Sequence, residues 1–284
     1  LTVDKHSTVG LILPALIALP PLIGLGYAVT ASLGLVGVAP GGSTSRYLRE
    51  VIANHTTWAA LGWTLWITIA STFLATLAAV FLAATFRAES KADRFGRIVA
   101  VLPLPVPHVV AALSSLLILG QSGLLARVAH SAGIISTPAQ MPPLVYDRLG
   151  VGLIFALVWK EIPFLALIAF TVLKNRGGML EETARSLGAN GIHTFFYATW
   201  PVLWRGMLPG IVAVATFVAG SYETAALLAP SRPLALPLLT MERYTATAMD
   251  LRPGAFVLAG FTLLLSLAAV AAYGATIGRT DRLQ

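Results

Sequence analysis

An adjacent lysine and glutamate, Lys160 and Glu161, stand near the middle of the run "VGLIFALVWKEIPFLALIAFTVL", residues 151–173, with Pro163 and Phe164 just after them. A second acid, Glu223, follows Gly220 and Tyr222 at the far end of another apolar stretch. An ionised side chain at the centre of a membrane helix costs roughly 2.5–3.5 kcal/mol on insertion scales, so each of these groups needs a reason to be there. Neighbours on a helix point about 100° apart, so Lys160 and Glu161 do not neutralise each other across one helix face. Two uses fit. One is a gate built from Tyr222, Phe164 and the cluster Pro103, Pro105 and Pro107, with Glu161 and Glu223 lining a water-filled solute path and Lys160 beside them. The other is structural, an ion pair between helices such as Lys160 with an acid from elsewhere in the chain. Two pathway acids would suit a cationic solute, and Lys160 offsets much of that preference.

Other chemistries find little to work with. His108, with no second ligand three or four residues on, reads as a helix-packing or polar-network histidine, and His130 and His193 read as surface residues. Cysteine is absent, which removes disulfides and thiolate metal sites. No nucleophile–base arrangement stands out, so neither a catalytic nor a metal site is assigned. A phosphate-cradling loop needs G-x-x-x-x-G-K-[ST], and none of the four lysines follows a glycine. The chain is therefore expected to hydrolyse no ATP and to hold no cofactor of its own.

The elements that must position these residues are membrane spans. With 57% hydrophobic and 11% charged residues, the chain departs far from soluble composition, where about a quarter of residues are charged. A helix needs about 20 apolar residues to cross the bilayer. Six runs meet this, near 9–31, 58–86, 98–120, 150–173, 207–229 and 254–277, and predict an all-α membrane protein forming a single domain over 1–284 without an internal repeat. The first run exceeds a signal-peptide core and lacks a clear cleavage site, so it is expected to be a retained span.

With six spans, Lys5, Arg87, Lys91, Arg94, Arg97, Lys174, Arg176, Arg185, Arg205, Arg279 and Arg282 share one face. The opposite face has Arg46, Arg49, Arg127, Arg148, Arg232, Arg243 and Arg252. The positive-inside rule then predicts both termini in the cytoplasm of a cell whose cytoplasmic membrane holds the protein as a multi-pass component. The net charge of +7 is explained by this topology and by contact with anionic lipid, without nucleic acid.

Connectors follow from composition. Segment 32–57 reads as an outer loop, 87–97 as a compact basic inner loop and 230–237 as a proline-stiffened outer loop. In 121–149, Leu124, Leu125, Val128 and Ile134 predict a short interfacial helix. Pro14, Pro20 and Pro21 are expected to bend the first span, and the 103–107 prolines to break the third. Trp58, Trp63 and Trp66 read as an interfacial anchor, and Gly206 with Gly210 as a small-residue pair where the fifth span meets a neighbour.

One segment does not belong to an apolar run. In "LEETARSLGANGIHTFFYATWP", residues 180–201, Leu180, Ala184 and Leu187 form a stripe on a short helix, with Glu181 and Arg185 spaced for an i,i+4 pair. Gly188 offers a left-handed cap and Asn190-Gly191 a turn. A second short helix, about 192–199, then carries His193, Phe195, Phe196 and Tyr197 before Trp200-Pro201. The result is a polar, apolar-tipped knob on the cytoplasmic face.

Glu182-Thr183-Ala184, Gly188 six residues after the glutamate, and Pro201 resemble the "EAA" loop of binding-protein-dependent ABC importer permeases of MetI-like fold, Glu-Ala-Ala, three residues, Gly, nine residues, Ile, any residue, Leu-Pro. Thr183, Ala198 and Trp200 depart from that pattern. The form Ser186-Leu187-Gly188-Ala189 resembles the branch serving polyamines, thiamine, ferric iron, sulfate or phosphonates, whereas sugar permeases usually carry Ile-Asp-Gly-Ala.

The resemblance implies an ATPase-coupling loop over 174–206. In it, Glu182 makes polar contacts, Ala184 and Gly188 allow close approach, Ser186, Leu187, Ala189, Asn190 and Gly191 form the inserted tip, and Pro201 closes the motif. It also implies a cytoplasmic ATPase dimer that binds ATP and Mg, a second six-span permease subunit, identical or homologous, and an extracytoplasmic solute-binding protein. That protein would dock on 32–57, 121–149 and 230–252. A sugar-type permease is the nearest alternative function. An ion-coupled secondary transporter relaying through Lys160, Glu161 and Glu223, and a non-transporting assembly protein, are the readings from other classes.

Overall fold

The computed structural model describes residues 5–37, 45–87 and 90–280, with side chains from 14 to 276 apart from 176 and 177. Lys5, Arg176, Arg279 and Arg282 of the charge count lie outside the described side chains, and the 32–57 and 87–97 connectors are described only in part. The regular structure of the described residues is helical, without strands, and six helical stretches are long and apolar enough to span a bilayer: Pro14–Ser32, His55–Thr85, His108–Ser131, Val151–Asn175, Gly191–Ala219 and Met249–Thr276.

The chain divides into two compact units. The smaller unit comprises residues 1–58 and 236–263. It holds α1 (Lys5–Ser32), α2 (Arg46–Ala53), α11 (Leu236–Thr245) and the first part of α12 (Arg252–Thr280). Its aromatic centre is Phe256, edge-on to both Tyr27 and Tyr244 at 5.6 and 5.9 Å between ring centres. Arg252 lies over the Tyr244 ring. Pro14, Pro20 and Pro21 sit inside α1, which continues through them.

The larger unit comprises residues 59–235 and 264–284. It contains most of α3 (His55–Thr85), then α4 (Lys91–Val101), α5 (His108–Leu119), α6 (Leu124–Ser131), α7 (Val151–Ser186), α8 (Gly191–Thr194), α9 (Trp200–Ala219) and α10 (Tyr222–Leu228). Helix α7 is its hub, packing on α4, α5, α9 and α10. The closest seam is with α9. A Cβ added at Gly206 would lie 2.5 Å from Val172 Cγ2, and one at Gly210 2.4 Å from Ile168 Cδ1, so these two glycines let the backbones approach as the small-residue spacing predicts.

Four expectations are corrected. The third run is broken at its prolines as expected, but its bounds differ from 98–120: helix starts at Lys91 inside the expected loop, where Ser90 accepts from the Asp93 amide at 3.1 Å, stops at Val101 and restarts at His108. Alternating prolines at 103, 105 and 107 remove three amide donors and disfavour helical geometry before each ring. The helix expected over 180–187 is not separate but the last part of α7, which runs from Val151 to Ser186 although Gly177 and Gly178 lie within it. The fifth run, expected over 207–229, is helical from Gly191 to Ala219, stops at Gly220 and resumes as α10. Trp63 is not an interfacial anchor. It is buried and donates through Nε1 to the Arg148 carbonyl at 2.8 Å, while Trp66 donates to Leu149 at the same distance, so the two clamp the chain entering α7. The short helix predicted in 121–149 is α6.

Candidate coupling surface and membrane pathway

Helix α7 ends beyond its apolar part. Leu187 is the C-cap, Gly188 takes φ +84°, and the amides of Gly188 and Ala189 return to the carbonyls of Arg185 and Ala184 at 2.9 and 3.0 Å. This is a Schellman closure, and glycine enters it without the Cβ penalty of the left-handed region. Asn190 then caps α8, its side-chain oxygen accepting from the His193 amide at 2.9 Å. A π-type turn, Phe195–Thr199, leads directly into α9, so the second helix does not stop at Trp200-Pro201, and Pro201 falls in the first turn of α9. His193 stacks on Tyr197 at 6.0 Å between ring centres. The tip is apolar and solvent-facing: Leu187 is 83% exposed, Ile192 70% and Tyr197 78%.

What holds this tip rigid is an acid that the motif does not single out. Glu181, 6% exposed, accepts from the Arg87 guanidinium and from the Thr199 hydroxyl, the latter at 2.7 Å. Burial alone would raise the Glu181 pKa, but the hydrogen bonds from Arg87 and Thr199, together with the positive charges of Arg87 and Arg185, outweigh it and hold the carboxyl below its ordinary value. The expected i,i+4 partner, Arg185, thus acts only through its charge, and the ion pair is made with a residue 94 positions away. Arg87 follows α3 after Phe86, and Arg97 of α4 donates to the Phe86 carbonyl at 2.8 Å, fixing that corner. Glu182, Ser186 and Asn190 are exposed, Ala184 and Ala189 half-buried, and Gly191 is the first residue of α8. The one sequence signal for Arg87 was its place as the first base after a span.

Within the membrane part, Lys160 and Glu161 are both 7% exposed and each has its own partner. Lys160 Nζ donates to the Leu104 carbonyl at 3.1 Å. Glu161 Oε1 lies 3.0 Å from Nε2 of His108, whose ring also packs on Phe217 at 4.5 Å between centres. The two partners flank the proline break. A break leaves the carbonyls of the preceding segment and the amides of the following one without helical partners, with opposite partial charges. The cation serves the carbonyl side and the acid the first residue of α5, so adjacent opposite charges 100° apart fit one discontinuity. Among the described residues Lys160 is therefore not paired with an acid, as the structural alternative supposed, and His108 belongs to the polar network.

The other pathway residues are less tightly held. Phe164 is partly exposed and lies beside Gly210. Tyr222 and Glu223 open α10, both exposed, just after the interruption at Gly220 and Ser221. No hydrogen bond or ion pair among the described residues joins Glu223 to Glu161 or Lys160. Pro103 is half-buried, and Pro105 and Pro107 are exposed.

A profile of the family described as binding-protein-dependent transport system inner membrane components matches residues 75–281. The chain belongs to this family. Among curated members, the sulfate transport system permease protein CysW of Synechococcus elongatus is 29% identical over 185 residues, which are 64% of this chain and 61% of that protein. The spermidine/putrescine transport system permease protein PotB of Haemophilus influenzae is 25% identical over 167 residues, 59% of this chain and 56% of the relative. The matches thus span about three fifths of these relatives' length. The fold resembles a chain in the crystal structure of a bacterial ABC transporter that imports the polysaccharide alginate, with a TM-score of 0.76, 15% identity and coverage of 97% of this chain and 96% of that one.

Membership in the family covers every candidate coupling and pathway residue, since all fall between 75 and 281. It also covers Arg87, His108 and Thr199, whose partners the structure supplies. Helices α1 and α2 lie outside the matched region.

Proposed function

We propose that the chain is the membrane-spanning permease of an ATP-driven importer, which forms the solute path and receives motion from separate ATPase subunits. The observation that carries this reading is the knob at 180–201: a rigid turn, anchored by buried Glu181, that presents Leu187, Ile192 and Tyr197 to solvent. Large apolar side chains on a polar, charge-rich end fit the groove of a partner better than water. The knob residues Glu182, Ala184, Ser186, Leu187, Gly188, Ala189, Asn190, Gly191 and Pro201 would form the docking element, facing the cytoplasm together with both termini. The partners are then an ATPase dimer holding ATP and Mg, a second six-span subunit and an extracytoplasmic solute-binding protein, assembled in the cytoplasmic membrane.

For the solute, we favour a small charged species. Glu161 is engaged by His108 and Glu223 stands apart from it, so the two acids supply no joint cation site. Relatives named for sulfate, molybdenum and spermidine/putrescine support the non-sugar branch, with a sulfate-type oxyanion as the first ligand to try.

The test is purification from the native membrane in mild detergent, with co-purifying proteins identified by mass spectrometry. Recovery of a P-loop ATPase with wild type, and its loss with a folded Gly188→Asp variant, is the expected result. Nothing lies within 4 Å of a Cβ at Gly188, so that variant adds charge and backbone strain at the tip without a clash. Wild-type chain recovered alone and moving solute in liposomes without ATP would overturn the reading in favour of a secondary transporter.

A further inference from the structure

Helix α3 carries four buried hydroxyls without a hydrogen-bond partner among the described residues, Thr57 in its first turn and three at its centre. Thr68, Ser71 and Thr72 are 8, 1 and 6% exposed, and their side-chain oxygens have no hydrogen-bond partner among the described residues. Their i, i+3, i+4 spacing puts them side by side on one face, with Cβ atoms about 5–6 Å apart. They sit at the centre of a 31-residue helix, roughly 20 Å from either end at 1.5 Å per residue. The opposite face is lipid-like, with Ile69 63%, Phe73 64% and Leu77 57% exposed.

Several other threonines in the spans are satisfied locally. Thr76 donates to the Thr72 carbonyl at 2.7 Å, Thr85 to Phe81 at 2.9 Å and Thr171 to Leu167 at 2.8 Å, all four residues back. The three hydroxyls at 68–72 do not take this route, although helical carbonyls stand equally near. Hydroxyls buried among apolar groups without a partner are costly, and three on one face give a single water the two to four partners that buried waters have.

We propose that Thr68, Ser71 and Thr72 form a water-holding polar subsite at the centre of the membrane, reached from the aqueous phase during the transport cycle. Access during a cycle rests on the permease reading; the water site itself does not. Hydroxyls that both donate and accept would also replace part of the hydration shell of a small polar solute passing α3.

The chain lacks cysteine, so single Ser71→Cys and Thr72→Cys variants can be placed without background, with Ile69→Cys as the lipid-facing control. The full chain, purified with its partners and returned to vesicles, would be exposed to a small charged methanethiosulfonate reagent with and without ATP. At least tenfold faster modification at 71 and 72 than at 69, in one state or both, is expected. Rates at 71 and 72 no faster than at 69 in both states would overturn the proposal. ATP-driven uptake by the wild-type vesicles is read in parallel. Its failure would count against the permease reading alone, because labelling still decides the water site. A second measurement guards against disturbed packing: the double variant Ser71→Ala, Thr72→Val keeps shape and removes hydroxyls. A melting temperature equal to or below wild type agrees with hydrated hydroxyls, whereas a rise would mean that they are dry and merely strained, and would sink the idea.

Discussion

Helix α7 buries one carboxylate in its apolar part and another beyond it, and the two are held differently. Glu161 faces one histidine nitrogen at 3.0 Å, beside a lysine that spends its bond on a backbone carbonyl. Glu181 takes donors from Arg87 and Thr199 together, at a corner that Arg97 fixes further. A single contact per charge around a proline break can be exchanged at small cost. A carboxylate filled by a guanidinium and a hydroxyl is a charge-assisted network whose members support one another. The inner brace therefore suits a part that rearranges, and the outer anchor suits a part that must move as a rigid body with α7.

Breaking the anchor should have the largest effect. Arg87→Ala leaves Glu181 buried without its cation, which costs about 3 kcal/mol, the lower end for a broken buried pair because Arg87 is itself partly solvated. Thermal unfolding of the purified chain should show the loss, and ATPase recovery should fall with it. If Arg87→Ala melts like wild type, the anchor is not what stiffens the knob. Lys160→Met should cost less, about 1–2 kcal/mol, since it orphans the Leu104 carbonyl but also removes a buried charge. Its effect should appear in uptake by vesicles more than in unfolding. An equal loss in both assays would erase the proposed contrast between brace and anchor.

Gly188→Val tests the tip alone. A β-branched residue at φ +84° pays roughly 1–2 kcal/mol of backbone strain, and with open space around it the expected outcome is a folded protein with weakened ATPase recovery. The smallest effect is in pH. The folded-state pKa of Glu181 is lowered, so its contribution is fully present above the ordinary glutamate value of about 4.3 and is lost as pH falls through the lower folded value. Stability should be insensitive to this group between pH 5 and 8 and decline only in acid. Glu181→Gln should flatten that acid limb, and an unchanged limb would show that other carboxylates set it.

The turn at 188–191 was legible because local rules specify it: a glycine able to turn left-handed, followed by Asn-Gly. Its anchor was not, because Arg87 and Glu181 are far apart in sequence and only the packing of α7 against the α3–α4 corner brings them together. The local alternative, Glu181 with Arg185, has the better spacing on paper. It loses because a buried carboxylate takes a direct donor from the neighbouring element, and Arg185 faces solvent.

The same division holds in the membrane. Composition and run length determined an all-helical, six-span protein, since the bilayer admits no other way of satisfying the backbone in such apolar runs. The prolines determined a break near 103–107, because a missing amide is a local property. Which charge would serve which side of that break was decided only by the register of α7 against α4 and α5, which placed Lys160 on the Leu104 carbonyl and Glu161 on His108. Likewise the sequence supplied hydroxyls along α3, and only tertiary burial made three of them matter. A side chain's identity is local, but its partner depends on distances that the chain acquires when it packs.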